Sequence, residues 1–170
     1  MNRPEIGEYD PYYNTYISLV EGDNVLSLLE SQPEKLRSIL QSVSEDRGTF
    51  AYGEGKWTIK ELLSHVIDGE RIFGYRALRI SRGDETPIEG FEQDGYIENS
   101  NANNRSFSDL LDEFELSRRA NMLMLNAMSS DAGTRMGTAS ERTISVRALV
   151  YIMAGHVEHH FRILRERYLS

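Results

Sequence analysis

The sequence predicts an all-α fold, an antiparallel bundle of four main helices. Three observations predict it. Apolar residues recur near the helical period in four long segments. Two of those segments open on helix-capping patterns. No segment shows a convincing strand ladder. The 170 residues suit one domain, and no stretch is linker-like enough to divide them. Residues 1–170 are therefore read as a single unit, with residues 1–20 as an irregular N-terminal arm.

In that arm Pro4 and Pro11 oppose a helix, and Tyr9, Tyr12, Tyr13 and Tyr16 offer aromatic surface to lie on the body. From about Asn24 to Val43, Leu26, Leu29, Leu36, Ile39, Leu40 and Val43 form an apolar stripe. Pro33 sits inside it, and proline costs about 3 kcal/mol in a helix interior. A break or kink is expected near Gln32, with Pro33 opening the second piece. The run Thr58-Ile-Lys-Glu61 has the form of a capping box. The helix it starts carries Leu62, Leu63, His65, Val66, Ile67, Ile72, Phe73 and Leu78 and should end near Ser81-Arg82-Gly83. Gly69 and Gly74 weaken it by up to about 1 kcal/mol each, or let another helix approach closely.

Residues 83–105 are polar and rich in turn residues, and loops of that length are often functional. Ser106-Phe-Ser-Asp109 resembles a second N-cap, followed by Leu110, Leu111, Phe114, Leu123, Leu125 and Met128 as core candidates. Residues 129–142 form another connection, with alternation too weak to assign the short hairpin it could hold. The last helix runs from about Ser145 to Tyr168. The 48–57 and 81–106 connections are long enough to permit a non-sequential helix order.

The chain has no cysteine, which excludes disulfides, iron–sulfur clusters and thiolate zinc sites. Its formal charge of −8 argues against nucleic-acid or anionic-membrane partners. No run approaches the roughly 18 apolar residues of a membrane span. The N-terminal segment, broken by Glu5, Glu8 and Asp10, has no apolar signal core. A cytoplasmic location is the expectation.

The four histidines are His65, His156, His159 and His160. With about 100° of rotation per residue and Ile152 at zero, His156 falls near 40°, His160 near 80° and His159 near −20°. The first two stand amid Leu149, Met153 and Ile163 on the apolar face, and His159 at its edge. The same arithmetic puts His65 on the inward face of its own helix, with Leu62, Phe73 and Ile72. A buried imidazole without partners costs about 1–3 kcal/mol. One divalent cation would satisfy three at once, and three ligands leave room for water or substrate, as in catalytic sites. The alternative is that the rings bond backbone carbonyls or carboxylates such as Asp68 and Glu158. His159 reads as an outer partner or surface residue.

The run Trp57-Thr-Ile-Lys-Glu-Leu-Leu-Ser-His65-Val-Ile-Asp68, the loop Phe91-Glu-Gln-Asp94-Gly-Tyr96, and Gly155-His156-Val-Glu-His-His160-Phe-Arg-Ile-Leu together resemble the DinB/YfiT-like superfamily over roughly residues 20–168. The resemblance implies a four-helix bundle with up-down-down-up connectivity. It also implies a divalent metal, often zinc or nickel, on His65, His156 and His160; manganese is a further candidate beside the resemblance. Members are often homodimers. Many are known only by assignment as metal-dependent hydrolases, which implies a small-molecule substrate, and some use a low-molecular-weight thiol as S-transferases or isomerases.

Three neutral imidazoles would leave such a cation its full charge, able to ionise a bound water or a thiol. Asp68, one turn after His65, is the first candidate for a general base. An outer-shell partner or a solvated helix residue is its alternative reading. Asp94 and Tyr96 could line the pocket, with Tyr96 donating to a substrate oxygen or merely packing on the body. Trp57 reads as structural, and Arg118 and Arg119 as helix-surface charges in salt bridges, with attraction of an anionic substrate as the alternative. The competing functional class is a non-enzymatic binding module with a structural metal. Direct DNA binding is disfavoured by the charge.

Overall fold

The computed structural model describes residues 1–22 and 24–170. Six α-helices and one hairpin occur in the order α1 (Asn14–Ile17), α2 (Val25–Leu40), α3 (Ile59–Ser81), α4 (Gln93–Glu98), α5 (Phe107–Asn126), β1 (Met136–Ala139), β2 (Arg142–Ser145) and α6 (Val146–Ile163). One π turn, Leu164–Tyr168, extends α6. Helices α2, α3, α5 and α6 form the four-helix bundle. No helix of the described residues is long and apolar enough to cross a membrane.

Cross-helix pairs set the directions. Gln32 on α2 donates to the Ala154 carbonyl on α6, and Arg47 just beyond α2 reaches the Tyr168 carbonyl, so α2 and α6 run the same way. Lys60 lies over Phe107 at the starts of α3 and α5, and Glu70 meets Arg118 and Asn121 further along, so these two also run together. Tyr168 donates to the Trp57 carbonyl while His65 meets His156, so α3 opposes α6. The connectivity is up-down-down-up, and the long 81–106 connection is what lets α5 return parallel to α3.

The capping box at the start of α3 forms as the sequence predicts. Thr58 Oγ1 accepts from the Glu61 amide at 3.1 Å, and Glu61 Oε2 accepts from the Thr58 amide at 2.8 Å. Ser106 and Ser145 cap α5 and α6 one way only, their hydroxyls accepting from the Asp109 and Ala148 amides.

The break expected near Gln32 does not occur, because α2 continues through Pro33. Proline at 33 leaves the Leu29 carbonyl without its usual helical donor. Arg118 Nη1 supplies one at 2.6 Å. Arg118 is therefore no surface charge but a fully buried guanidinium, 1% exposed. It makes a forked pair with Glu70 at 2.8 and 2.7 Å and also donates to Gln32 Oε1.

The arm is more ordered than expected. Pro11 opens a short 3₁₀ turn capped by Asp10, α1 follows, and Ile17 and Val20 are buried. It packs so tightly on α6 that a Cβ at Gly155 would lie 2.0 Å from the Tyr16 carbonyl oxygen. The polar 83–105 segment contains α4 and a 3₁₀ turn at Ala102–Asn104, with Ile97 as the buried anchor of α4. The weak alternation after residue 129 does become a hairpin, with Gly137 paired to Ile144. Leu123, expected in the core, is 70% exposed on the outer face of α5.

Glu8 fastens the arm. It accepts from Arg147 Nε and Ser145 Oγ, each at 2.7 Å, and from Arg147 Nη2. The Arg147 guanidinium, with smaller help from Ser145, holds the Glu8 carboxyl at about 2 against an ordinary 4.5, despite partial burial. The charged form is thus favoured by folding. Its contribution is complete above about pH 4.5 and disappears as pH falls towards 2. Glu8→Gln is expected to destabilise the protein at pH 7 by on the order of 2 kcal/mol. It should also flatten the pH dependence of urea midpoints across that window. Equal midpoints for variant and wild type at pH 7 would contradict this.

Candidate metal centre

The apolar core divides into two clusters along the bundle. One gathers α1, the second half of α3, the hairpin and the first half of α6. The other gathers the first half of α3, the start of α5 and the end of α6. On α6 the division falls between Ala154 and Val157, and on α3 between Ile67 and Phe73. Polar side chains fill this layer, the Glu70–Arg118–Gln32–Asn121 network on one side and histidines on the other.

His65, His156 and His160 converge there, all buried, at 5%, 4% and 7% exposure. His65 Nε2 stands 2.9 Å from His156 Nε2, and His160 Nε2 stands 3.1 Å from the same atom. Nitrogens on a shared cation at about 2.0–2.1 Å stand about 3.0 Å apart at right angles and about 3.4 Å apart tetrahedrally. These two separations lie at the near end of that range, and all three donor atoms stand within 4.8 Å of one another, a grouping that could hold a metal ion.

Burial pushes the His65 ring down to about 4, with Asp94 pulling the other way and His159 adding to the fall. Burial holds His156 and His160 well below the ordinary value, reinforced by the neighbouring histidines. All three rings are therefore neutral near pH 7, the form that ligates. The Nδ1 of His160 is buried without a partner, so no protein acceptor fixes that ring's tautomer.

Gly69 makes room for the cluster. A Cβ there would lie 2.9 Å from His156 Cε1 and 3.1 Å from its Nδ1. Alanine is otherwise the better helix former by up to about 1 kcal/mol. Gly69→Ala is therefore expected to leave helicity intact while displacing the ring and weakening metal binding at least about tenfold. Zinc titration against a chromophoric competitor measures this, and unchanged affinity would contradict it.

Aromatic rings wall the cluster. Trp57 stands 4.8 Å from His65, centroid to centroid, and Tyr16 stands 5.4 Å from His156 and 5.5 Å from His159. Trp57, read from sequence as structural, thus touches a ligand candidate. A cavity of about 270 Å³ reaches His160 and is bounded by Tyr52, Lys56, Trp57, Leu62, Asp94, Ile163 and Tyr168. Asp68 and Tyr96 line another cavity, about 670 Å³, with Ser64, Arg71, Arg105 and Glu113. On α4, Asp94 projects about 160° from Tyr96 at the helical repeat, so the helix separates the two cavities. Asp68 is half-buried, and burial raises its carboxyl above the usual range against the pull of Arg71. Tyr96 is 50% exposed and packs on Phe91.

Comparison with known proteins agrees with this architecture. A solved structure of YfiT from Bacillus subtilis, described as a four-helix bundle of unusual topology, superposes with a TM-score of 0.75 over 94% of each chain at 18% identity. At that identity the likeness is one of fold. In sequence, the Bacillus subtilis (strain 168) protein named "Putative metal-dependent hydrolase YfiT" is 28% identical over 94 residues, 55% of this chain and 51% of that protein. The match thus spans about half the length of that curated relative. The family model described as DinB superfamily matches residues 28–164. With four-fifths of its length matched by that model, the chain belongs to the DinB superfamily.

Proposed function

We propose that His65, His156 and His160 hold a divalent cation, zinc or nickel before manganese, in a metal-dependent enzyme acting on a small molecule as a hydrolase or a thiol S-transferase. The observation that carries this reading is the convergence of three buried, neutral Nε2 atoms on one point. When bound, the cation would supply Lewis-acid activation of a water or thiol. Among the described residues no fourth histidine or carboxylate joins the group, which suits an open catalytic site better than a closed structural one. The name of the YfiT relative supports the hydrolase half of the proposal.

The chain's own residues have separable tasks. The imidazoles remain neutral and fixed by packing against Trp57, Tyr16 and Phe73. Asp94 shares the cavity of His160 and acts on His65 electrostatically, which supports its carboxylate as the proton acceptor for the nucleophile. Asp68 and Tyr96, on the other side of α4, would meet a more distant part of the substrate. Tyr52, Trp57 and Tyr168 give the small cavity aromatic walls.

Asp94→Asn is expected to lower kcat about 10²–10⁴-fold, the usual worth of a general base, with bound metal unchanged. The measurement is turnover of an ester, amide and thiol-acceptor panel by zinc- and nickel-loaded enzyme. Wild-type rates in the variant would remove Asp94 from the mechanism. Inactivity of loaded wild type across the panel would remove the proposed chemistry.

A further inference from the structure

Arg76 is a buried charge used neither by the bundle nor by the proposed centre. It lies on α3 and is 3% exposed. Arg118, equally buried, has Glu70 as its counter-ion. No carboxylate among the described residues pairs with Arg76; its Nη2 donates only to neutral oxygens, the Glu89 carbonyl at 3.1 Å and Ser140 Oγ at 2.9 Å. Its Nε is buried with no partner at all. The Tyr13 phenol stands beside the guanidinium. A buried cation left without a counter-ion is costly to keep, and proteins normally pair it.

The geometry of the guanidinium is specific. Nε and Nη2 form one edge of the guanidinium, the edge on which a carboxylate or phosphate seats through two parallel hydrogen bonds. Nε has no acceptor, and Nη2 spends both its hydrogens on neutral oxygens, one of which an anion seated on this edge would displace. Above the edge lies the β1–β2 turn, where Ser140 and Glu141 adopt φ of 51° and 62°. Left-handed backbone at both positions is what a two-residue type I′ hairpin turn requires, and it sets Ser140 against the guanidinium. The segment at Ile88 is laced to this turn through Ile88 N to Thr138 O and Ser140 N to Ile88 O, both 2.9 Å. Hairpin turn and segment thus form one cover over the guanidinium.

We propose that Arg76 is the base of an oxyanion site, taking the carboxylate or phosphate group of a small molecule on its Nε–Nη2 edge. The Ser140 hydroxyl and the Tyr13 phenol are the neighbouring donors. The site is independent of the metal centre. Arg76 follows His65 by eleven residues on the same helix, about 16 Å along its axis, too far for one small anion to touch both.

The test is NMR titration of the Arg76 side-chain Nε–H resonance, assigned by its disappearance in Arg76→Lys. Inorganic phosphate and acetate are titrated separately at constant ionic strength, with chloride as the control. Which of the two saturates tells a phosphate site from a carboxylate site. The expected result is a saturable shift with at least one of them at a Kd in the low millimolar range or tighter. Thermal-shift stabilisation by the same anion should weaken at least fivefold in Arg76→Lys and Arg76→Gln but persist in the exposed control Arg119→Gln. It should also persist in His156→Ala, where the metal centre is lost. No movement of the resonance, or equal stabilisation in the wild type and both Arg76 variants, would show the guanidinium to be only an internal strut and overturn the proposal.

Discussion

Arg118→Met is expected to destabilise the fold by about 3–5 kcal/mol, the usual cost of leaving one member of a buried ion pair without the other. Glu70 would keep Asn121 as a partner but lose both guanidinium donors. The larger consequence lies on α2. The Leu29 carbonyl, deprived of a helical donor by Pro33, would lose the Arg118 bond that replaces it. The double substitution Glu70→Leu with Arg118→Met should therefore not regain wild-type stability, although apolar replacement of a simple buried pair often does. Pro33→Ala restores a backbone N–H four residues after Leu29. It should recover about 1–3 kcal/mol in the Arg118→Met background and less in the wild type, where the carbonyl is already satisfied. Urea unfolding of the four proteins measures this coupling, and additive effects of Pro33→Ala and Arg118→Met would contradict it.

His156→Ala is expected to abolish stoichiometric metal binding. His156 is the central member, its Nε2 standing 2.9 Å from His65 Nε2 and 3.1 Å from His160 Nε2. The remaining rings would form a two-ligand site with a void at its middle. Wild-type protein in zinc at a hundredfold excess over Kd should gain about 2.7 kcal/mol of stability. The variant should gain almost none under the same conditions while retaining wild-type helicity. Calorimetric melting with and without zinc reads both numbers, and an equal zinc-induced gain in the two proteins would contradict the assignment.

What the sequence makes legible here is local or periodic. The Thr58–Glu61 box needs only four residues, so it can be read and located directly. The inward positions of His65, His156 and His160 follow from rotation along two regular helices. Their convergence depends on the antiparallel packing of α3 on α6, which the up-down-down-up resemblance implies and spacing alone does not. The unbroken α2 could not be read locally, because the donor that rescues Leu29 comes from position 118. For the same reason the burial of Arg118 depends on Glu70 and Gln32, on two other helices. The β hairpin has strands of four residues, too short for alternation to show. Helix α4 has no side-chain cap and only Ile97 buried, so its sequence reads as loop. That helix decides which acidic residue shares the histidine cavity. Asp68 follows His65 by one turn in sequence, yet Asp94 is the one that lines the space beside His160.

The most direct measurement is metal analysis joined to X-ray absorption spectroscopy on protein purified without an affinity tag that binds metal. About one equivalent of a divalent transition metal should be present or restorable. Its first shell should contain three imidazole nitrogens, at about 2.0–2.1 Å if the metal is zinc, together with at least one exchangeable oxygen. Less than about a tenth of an equivalent, unrestored by added zinc, nickel or manganese, would contradict the account, as would a shell closed by a fourth protein ligand.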